Sequence, residues 1–470
     1  MTVSKLRGRR SFLRNQVPFL LGRNYDRVAP SHVLNGFLCA AFGPNPSAKN
    51  IRVLLRNPDL LPEIPSIAAS ILEDPQHLSR FRQAMGVVLN ADRRLFPSGG
   101  SVFPVSLGMV SQHLMDDGFG SEVWELACAC DRNLSPRIRS FFGAPIHGDV
   151  LGQLGSVLCG DISACDPKHS RTKPPWDSEL GATYARKLAA LLSPAFAEAG
   201  GFAMRSSRLI ALSSGCFAIG FLATLRSAEI THRRPKTWSD LSPMFVFGGM
   251  PPGRANDPAT RLASKSFATV VAAQRDALRE ILVKRLKRRR VPASTPKTQY
   301  ARVVVAGAFP DASDKDQELA RDAVGRVQDA EKVADRLADA LYPAGFLDRG
   351  FRRVGRKLGL AGPDRGFGSP RFLLETPALA LLSAATVPPG NSIGFRDWLD
   401  EIFLRFGIIL GPGQRTDCTA LLAHLDTPGV VTSILRENQE ALRRRMVRAG
   451  LAMEYSDGET EVVSPERRTD

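Results

Sequence analysis

The chain has 470 residues, 43% hydrophobic and 23% charged, which is ordinary globular composition and long enough for two to four domains. Its 63 Lys and Arg against 47 Asp and Glu leave a net charge of +16, an excess that points to a polyanionic partner or to plain solubility in an arginine-rich chain. Seven scattered cysteines, an odd number, argue against a disulfide framework and for a reducing compartment.

Residues 1–30 carry Lys5, Arg7, Arg9, Arg10, Arg14, Arg23 and Arg27 against Asp26 alone. Such a basic arm can lie along phosphates, or dock as a solvated tail. It holds no apolar run of signal-peptide length, so cytoplasm is the expected location.

Residues 31–178 read as an N-terminal helical domain. Ser31 caps HVLNGFLCAAF, Asn50 and Pro65 open two further helices, and others run through 109–115 and 122–130. The candidate metal ligands lie here: Cys128 and Cys130 one residue apart, then His147, Cys159, Cys165 and His169. Zinc sites use two-residue-spaced pairs, which this pattern lacks. No metal is assigned, and the cysteines read as small buried hydrophobes.

Residues 179–291 form a second helical domain. Its apolar stretch 209–225 is at the short limit for a membrane span and is more simply a buried core helix. No membrane partner is expected. Asp257 and Pro258 have the types of an N-cap and first-turn proline for a long helix, with Leu262, Phe267, Val270, Val271, Leu278, Ile281, Leu282 and Leu286 along one stripe. That helix ends in Lys284, Arg285, Lys287, Arg288, Arg289 and Arg290. Cations suit a helix C-terminus, but six exceed what capping requires, and phosphate contact is the favoured reading.

After a linker at 291–299, residues 300–369 comprise a strand (ARVVVAGAF), a long acidic amphipathic helix over 311–341 and a basic, glycine-rich segment. The acidic helix has nine Asp and Glu against five Lys and Arg, so it can neutralise a basic segment within the fold or repel DNA. The basic segment interleaves Arg349, Arg352, Arg353, Arg356 and Lys357 with Phe346 and Phe351. That mixture suits a surface that tracks phosphates, although aromatics also fill local core.

Residues 370–470 read as helices followed by a longer basic helix over 428–448, closed by Gly450, then a hairpin turning at Ser456, Asp457, Gly458 and Glu459. This order fits a winged helix-turn-helix, with Arg443, Arg444, Arg445 and Arg448 at phosphate or groove. The acids Glu454, Asp457, Glu459 and Glu461 in the hairpin oppose that use. The expected fold class is mainly α, a multi-domain helical protein with a C-terminal winged-helix-like module.

No phosphate-binding loop, metalloprotease motif or nucleophile elbow is present, so no catalytic residue and no cofactor is assigned. The runs FLDRGFRRVGRKLGL, RFLLETPALALLSAATVPPG, FRDWLDEIFLRFGIILGPG and LRRRMVRAGLAMEYSDGETEVV resemble accessory proteins of bacterial anti-phage defence islands. Methylation-associated defence systems and phosphorothioation-dependent restriction systems are the nearest; the stretch RRSFLRNQVPFLLGRNYDRVAPSHVLNGF adds to the likeness with the former. The resemblance implies a non-catalytic subunit working with a methyltransferase, an ATPase and a nuclease. Three readings follow: a DNA-associated accessory subunit partnered by other subunits of the same system; a scaffold whose winged helix docks a partner ATPase or methyltransferase without touching DNA; and a divergent metal-dependent nuclease.

Overall fold

The computed structural model describes residues 17–19, 28–42, 118–143, 173–196, 202–248, 257–287, 322, 329–341, 346–363, 369–413 and 417–464. Among the described residues there are twelve α-helices and seven short strands, so the protein is mainly helical. The helices expected near Asn50, Pro65 and 109–115, the linker, the strand ARVVVAGAF, most of the basic arm and of the acidic segment before 329 lie outside them, as do Arg288, Arg289 and Arg290. The chain divides into two compact units. One comprises Asp26–Pro174 and Leu188–Gly220; the other comprises Met1–Tyr25, Pro175–Lys187 and Phe221–Asp470.

In chain order the first helices are α1 (Pro30–Phe42), α2 (Phe119–Cys130), α3 (Leu134–Gly143), α4 (Glu179–Ala189) and α5 (Phe202–Arg233). Then come β1 (Met244–Phe245), α6 (Pro258–Lys287), α7 (Ala330–Leu341), α8 (Phe346–Leu358), β2 (Ala361–Gly362) and β3 (Arg371–Phe372). The C-terminal set is α9 (Thr376–Thr386), β4 (Ser392–Gly394), α10 (Phe395–Phe406), β5 (Ile408–Ile409), α11 (Cys418–Leu422), α12 (Pro428–Arg448), β6 (Ala452–Glu454) and β7 (Thr460–Val463).

In the smaller unit, α1 packs on α2, with Phe37 edge-on to Trp124 at 5.4 Å between ring centroids. Alternate small and large apolar residues at helical spacing on both helices produce that face. Farther along, Phe196 meets Phe141, and the Arg137 guanidinium lies 5.3 Å from the Phe196 ring centroid.

Helix α5 is apolar around most of its circumference, and a helix of that kind must be enclosed. It is the one helix among the described residues long and apolar enough to cross a bilayer, and 83% of its apolar window is buried inside the protein. It is a core helix. Its second half carries Arg226 and Glu229, both buried, and the carboxylate of Glu229 gathers five donors. Arg233 Nη1 at 3.0 Å, Ser242 N at 3.1 Å and Ser242 Oγ at 2.9 Å donate to one oxygen; Arg226 Nη1 at 3.3 Å and Gln274 Nε2 at 3.2 Å donate to the other. Arg226 also donates to the carbonyls of Ser242 and Gly407, and its guanidinium faces the Trp238 ring at 5.7 Å. One ion pair therefore ties α5 to α6, to the turn before β1 and to the end of α10.

Helix α6 starts where the sequence places it: the Asp257 carboxylate accepts from Thr260 N at 3.3 Å and Pro258 occupies the first helical position. Of the predicted stripe, Leu262, Phe267, Val270, Val271, Leu278, Leu282 and Leu286 are buried, and Ile281 is half-buried. Residues 244–247, within a stretch that reads as turn-rich, are extended and central. Strand β1 pairs in parallel with β5, and Phe247 bridges Leu373 beside β3, which pairs antiparallel with β2. Burial stabilises these short strands, since Phe245, Val246 and Phe372 are each about 1% exposed or less.

At the C-terminus, β4, β7 and β6 form a three-stranded antiparallel sheet in the order β4-β7-β6. Phe395, Trp398, Leu399, Ile402, Phe403 and Phe406 of α10 all point into the core, as their spacing predicts. The helix stops at Gly407, whose φ of +64° an L-residue resists. Helix α12 spans the residues the sequence assigns to it and is held by Asn438, a buried amide. Its Oδ1 accepts from Gly248 N at 2.9 Å, while Nδ2 donates to the carbonyls of Val246 at 3.1 Å and Leu410 at 2.6 Å.

Candidate nucleic-acid interface

Helix α8 is the clearest cationic surface. Arg349, Arg352, Arg353, Arg356 and Lys357 recur at three- and four-residue steps, which places them on one side of the helix. Arg349, Arg353, Arg356 and Lys357 are exposed and Arg352 is half-buried, while Leu347, Phe351, Val354 and Leu358 turn inward. Asp348 is the sole acid of the helix. Of the glycines in this basic segment, Gly355 serves packing. At Gly355 a Cβ would lie 2.6 Å from Ala361 Cβ and 2.8 Å from Phe221 Cζ, so only glycine lets α8 seat this closely. Phe351 packs on Phe221 at 6.4 Å and is core rather than a stacking platform.

At the end of α6 the partners of the cations are residues of α5 and α7. Lys284 Nζ lies 3.3 Å from His232 Nδ1, and Lys287 pairs with Glu331 of α7 at 2.9 Å. Arg285 is half-buried. Farther back, Arg279 pairs with Asp335 and Arg275 with Asp339. The hydrogen bond that Arg279 donates to Asp335 raises the Arg279 pKa. Helix α7 thus lies along α6 with three of its acids over α6 cations, of which Lys287 belongs to the basic run at the end of α6. Its own start is capped by Asp329, whose carboxyl is held below the usual range by the N–H groups of Lys332 and Glu331.

The arginines of α12 also divide. Arg443 makes a two-toothed contact with Glu440 at 2.8 and 3.0 Å and reaches Glu454 of β6 at 2.6 Å. Both carboxylates raise the Arg443 pKa, Glu440 more than Glu454, and Arg443 together with Arg444 holds the Glu440 carboxyl down at about 2. Arg445 is a carbonyl clamp: Nη1 donates to Gly248 O at 3.1 Å and Leu374 O at 2.5 Å, and Nη2 to Thr376 Oγ1 at 3.0 Å. Its fork is spent on two carbonyls and a hydroxyl. Arg444, beside Glu440 at 2.8 Å, and Arg448 face solvent, as does Arg436 one face-repeat earlier, which charge-run reasoning passed over. In the hairpin, Glu454 is taken by Arg443, and Glu461 accepts from Ser392 and Tyr455, which leaves Asp457 and Glu459 as the outward acids of the tip.

Among the described residues no group of three or more His, Cys, Asp or Glu is arranged to hold a metal ion. Cys128 and Cys130 are half-buried and unbridged, while Cys159, Cys165 and His169 lie outside the described residues. A cavity of about 520 Å³ is lined by Leu180, Trp238, Phe403, Leu404 and Leu421 together with Lys236 and Asp417. Leu404 is 45% exposed there. No family model matches the chain, and no curated protein and no solved structure matches it either.

Proposed function

We propose that the chain is a non-catalytic, DNA-associated accessory subunit of a multi-protein bacterial anti-phage defence system, and that residues 370–470 are its winged-helix module. The observation that carries DNA association is the solvent side of α8, where four exposed cations, Arg349, Arg353, Arg356 and Lys357, share one helix face. Phosphate neutralisation by such a row supplies affinity without sequence specificity. Support for the winged helix is the order α9, β4, α10, α11, α12, β6, β7 with the sheet order β4-β7-β6, a helix running directly into a hairpin whose last strand lies between the other two. Placement in a defence system rests on the resemblance of the C-terminal third.

In such a module Arg436, Arg444 and Arg448 are the α12 side chains open to a duplex, whereas Arg443 and Arg445 build the module itself. The test is fluorescence anisotropy with a 30-base-pair duplex between 50 and 200 mM salt. Affinity should fall steeply with salt, and R349Q/R353Q/R356Q/K357Q should flatten the logarithmic slope by up to roughly 3.6, at about 0.9 per phosphate. No binding at 50 mM salt removes the reading. The apolar cavity beside exposed Leu404 favours a second one, a scaffold docking a protein subunit; capture of a co-encoded ATPase or methyltransferase without DNA, lost in L404E, would support it.

A further inference from the structure

Three acids of α7 stand at four-residue intervals, Glu331, Asp335 and Asp339, so successive carboxylates are spaced by about 6 Å along the helix. They meet Lys287, Arg279 and Arg275 of α6 in antiparallel order. The six side chains are 38 to 59% exposed, so the pairs sit in water at the surface. Ion pairs of this kind are weak and exchangeable. What seats α7 is a separate set of contacts, the buried Val333, Ala334, Leu337 and Ala338 on its inner side. The acids are therefore not needed to hold the helix in place, yet they lie in a row over a row of cations. Mixed composition alone would scatter charges without that register.

We infer that α7 is a built-in electrostatic cover: its three carboxylates occupy Arg275, Arg279 and Lys287, cations that would otherwise add to a polyanion-binding surface, and so hold down the affinity of the chain for polyanions. The inference deepens the DNA-associated reading by naming its restraint, and rests on that reading for DNA as the polyanion. A duplex competes with α7 for the same guanidinium and ammonium groups. Anything that neutralises the carboxylates or outcompetes them releases the three cations while α7 stays seated on its apolar side.

The test is a cycle on the full chain. The isosteric variant E331Q/D335N/D339N uncovers the cations, R275Q/R279Q/K287Q removes them, and the sextuple variant does both. Each is assayed for duplex affinity and for the salt concentration that elutes it from heparin, with calorimetry to confirm that the melting transitions remain. Uncovering should tighten duplex binding about tenfold or more at 100 mM salt and steepen the salt slope by up to roughly 2.7, at about 0.9 per released cation. Removing the cations should change affinity less than about twofold in the covered chain but cancel the whole gain in the uncovered one. Equal effects of cation removal in both backgrounds would mean that only net charge matters and would overturn the cover. Heparin elution that follows this pattern with no duplex binding by any variant keeps the cover and discards DNA as its polyanion. No response of either readout overturns the cover outright.

Discussion

Replacement of Glu229 by Gln tests the central ion pair. The carboxylate receives five hydrogen bonds from four residues and is completely buried. A glutamine keeps one acceptor oxygen, enough for Ser242 and Arg233. Its amide then turns toward Arg226 Nη1 and Gln274 Nε2, both donors. Gln274 can flip, since its own Oε1 has no partner, but Arg226 cannot. A buried guanidinium without its carboxylate should cost about 3–5 kcal/mol. For a unit of this size that corresponds to a fall of roughly 6–15 °C in its melting temperature. Because the chain forms two units, calorimetry should resolve the transitions, and the one that reports Trp238, which faces Arg226, should move. R226M should cost a similar amount, and the double variant R226M/E229Q should cost clearly less than the sum of the two, since no buried charge is then left uncompensated. Loss of under about 1 kcal/mol in either single variant, or strict additivity in the double, would refute the assignment of this pair as the joint of the larger unit.

The remaining expectations concern the C-terminal region. N438A leaves Gly248 N and the carbonyls of Val246 and Leu410 unpaired and should cost about 3–5 kcal/mol in urea unfolding, an m-value unchanged; a cost below about 1 kcal/mol would mean that water replaces the amide. G407A forces a Cβ to 2.5 Å from Trp238 Cε3 at a φ of +64° and should cost about 2–4 kcal/mol, seen as a lower denaturation midpoint. Glu440 has a folded pKa of about 2 against an unfolded value near 4.3, so its contribution is present above about pH 4.3 and is lost as pH falls toward 2. With Glu440 43% exposed, that contribution is at most about 1 kcal/mol. Wild type should exceed E440Q in stability at pH 6 and match it near pH 2; a difference that does not change with pH contradicts the linkage.

Much of the helical fold was legible. Helix α6 begins at its Asp257 cap, α10 buries all six of its predicted apolar residues, and α12 with its hairpin spans the residues assigned to it, because capping types and helical periodicity are local properties. The strand at 244–245 was not legible, since two residues carry no period and their pairing partner lies 164 positions away at Ile408 and Ile409. Helix α8 was half-read. Its basic residues stand out as a charge run, but the contact that makes glycine necessary at 355 involves Phe221 and Ala361.

The candidate interface shows the same division. Charge runs located the ends of α6, α8 and α12 but passed over Arg275, Arg279 and Arg436, and a run of arginines is silent about where each fork points. Arg443 and Arg445 are neighbours in the chain, with Arg444 between them; one is bound to acids of its own module, and the other to carbonyls at 248 and 374. The acid register of α7 is likewise written in the sequence as residues 331, 335 and 339, yet only packing on α6 turns it into a set of ion pairs. The sequence by itself determined the helices, the apolar faces and the overall positive charge, because each depends on neighbours within a few residues. Tertiary structure alone decided what Arg275, Arg279, Lys287 and Arg445 meet, because their carboxylates and carbonyls are brought in from tens to hundreds of residues away.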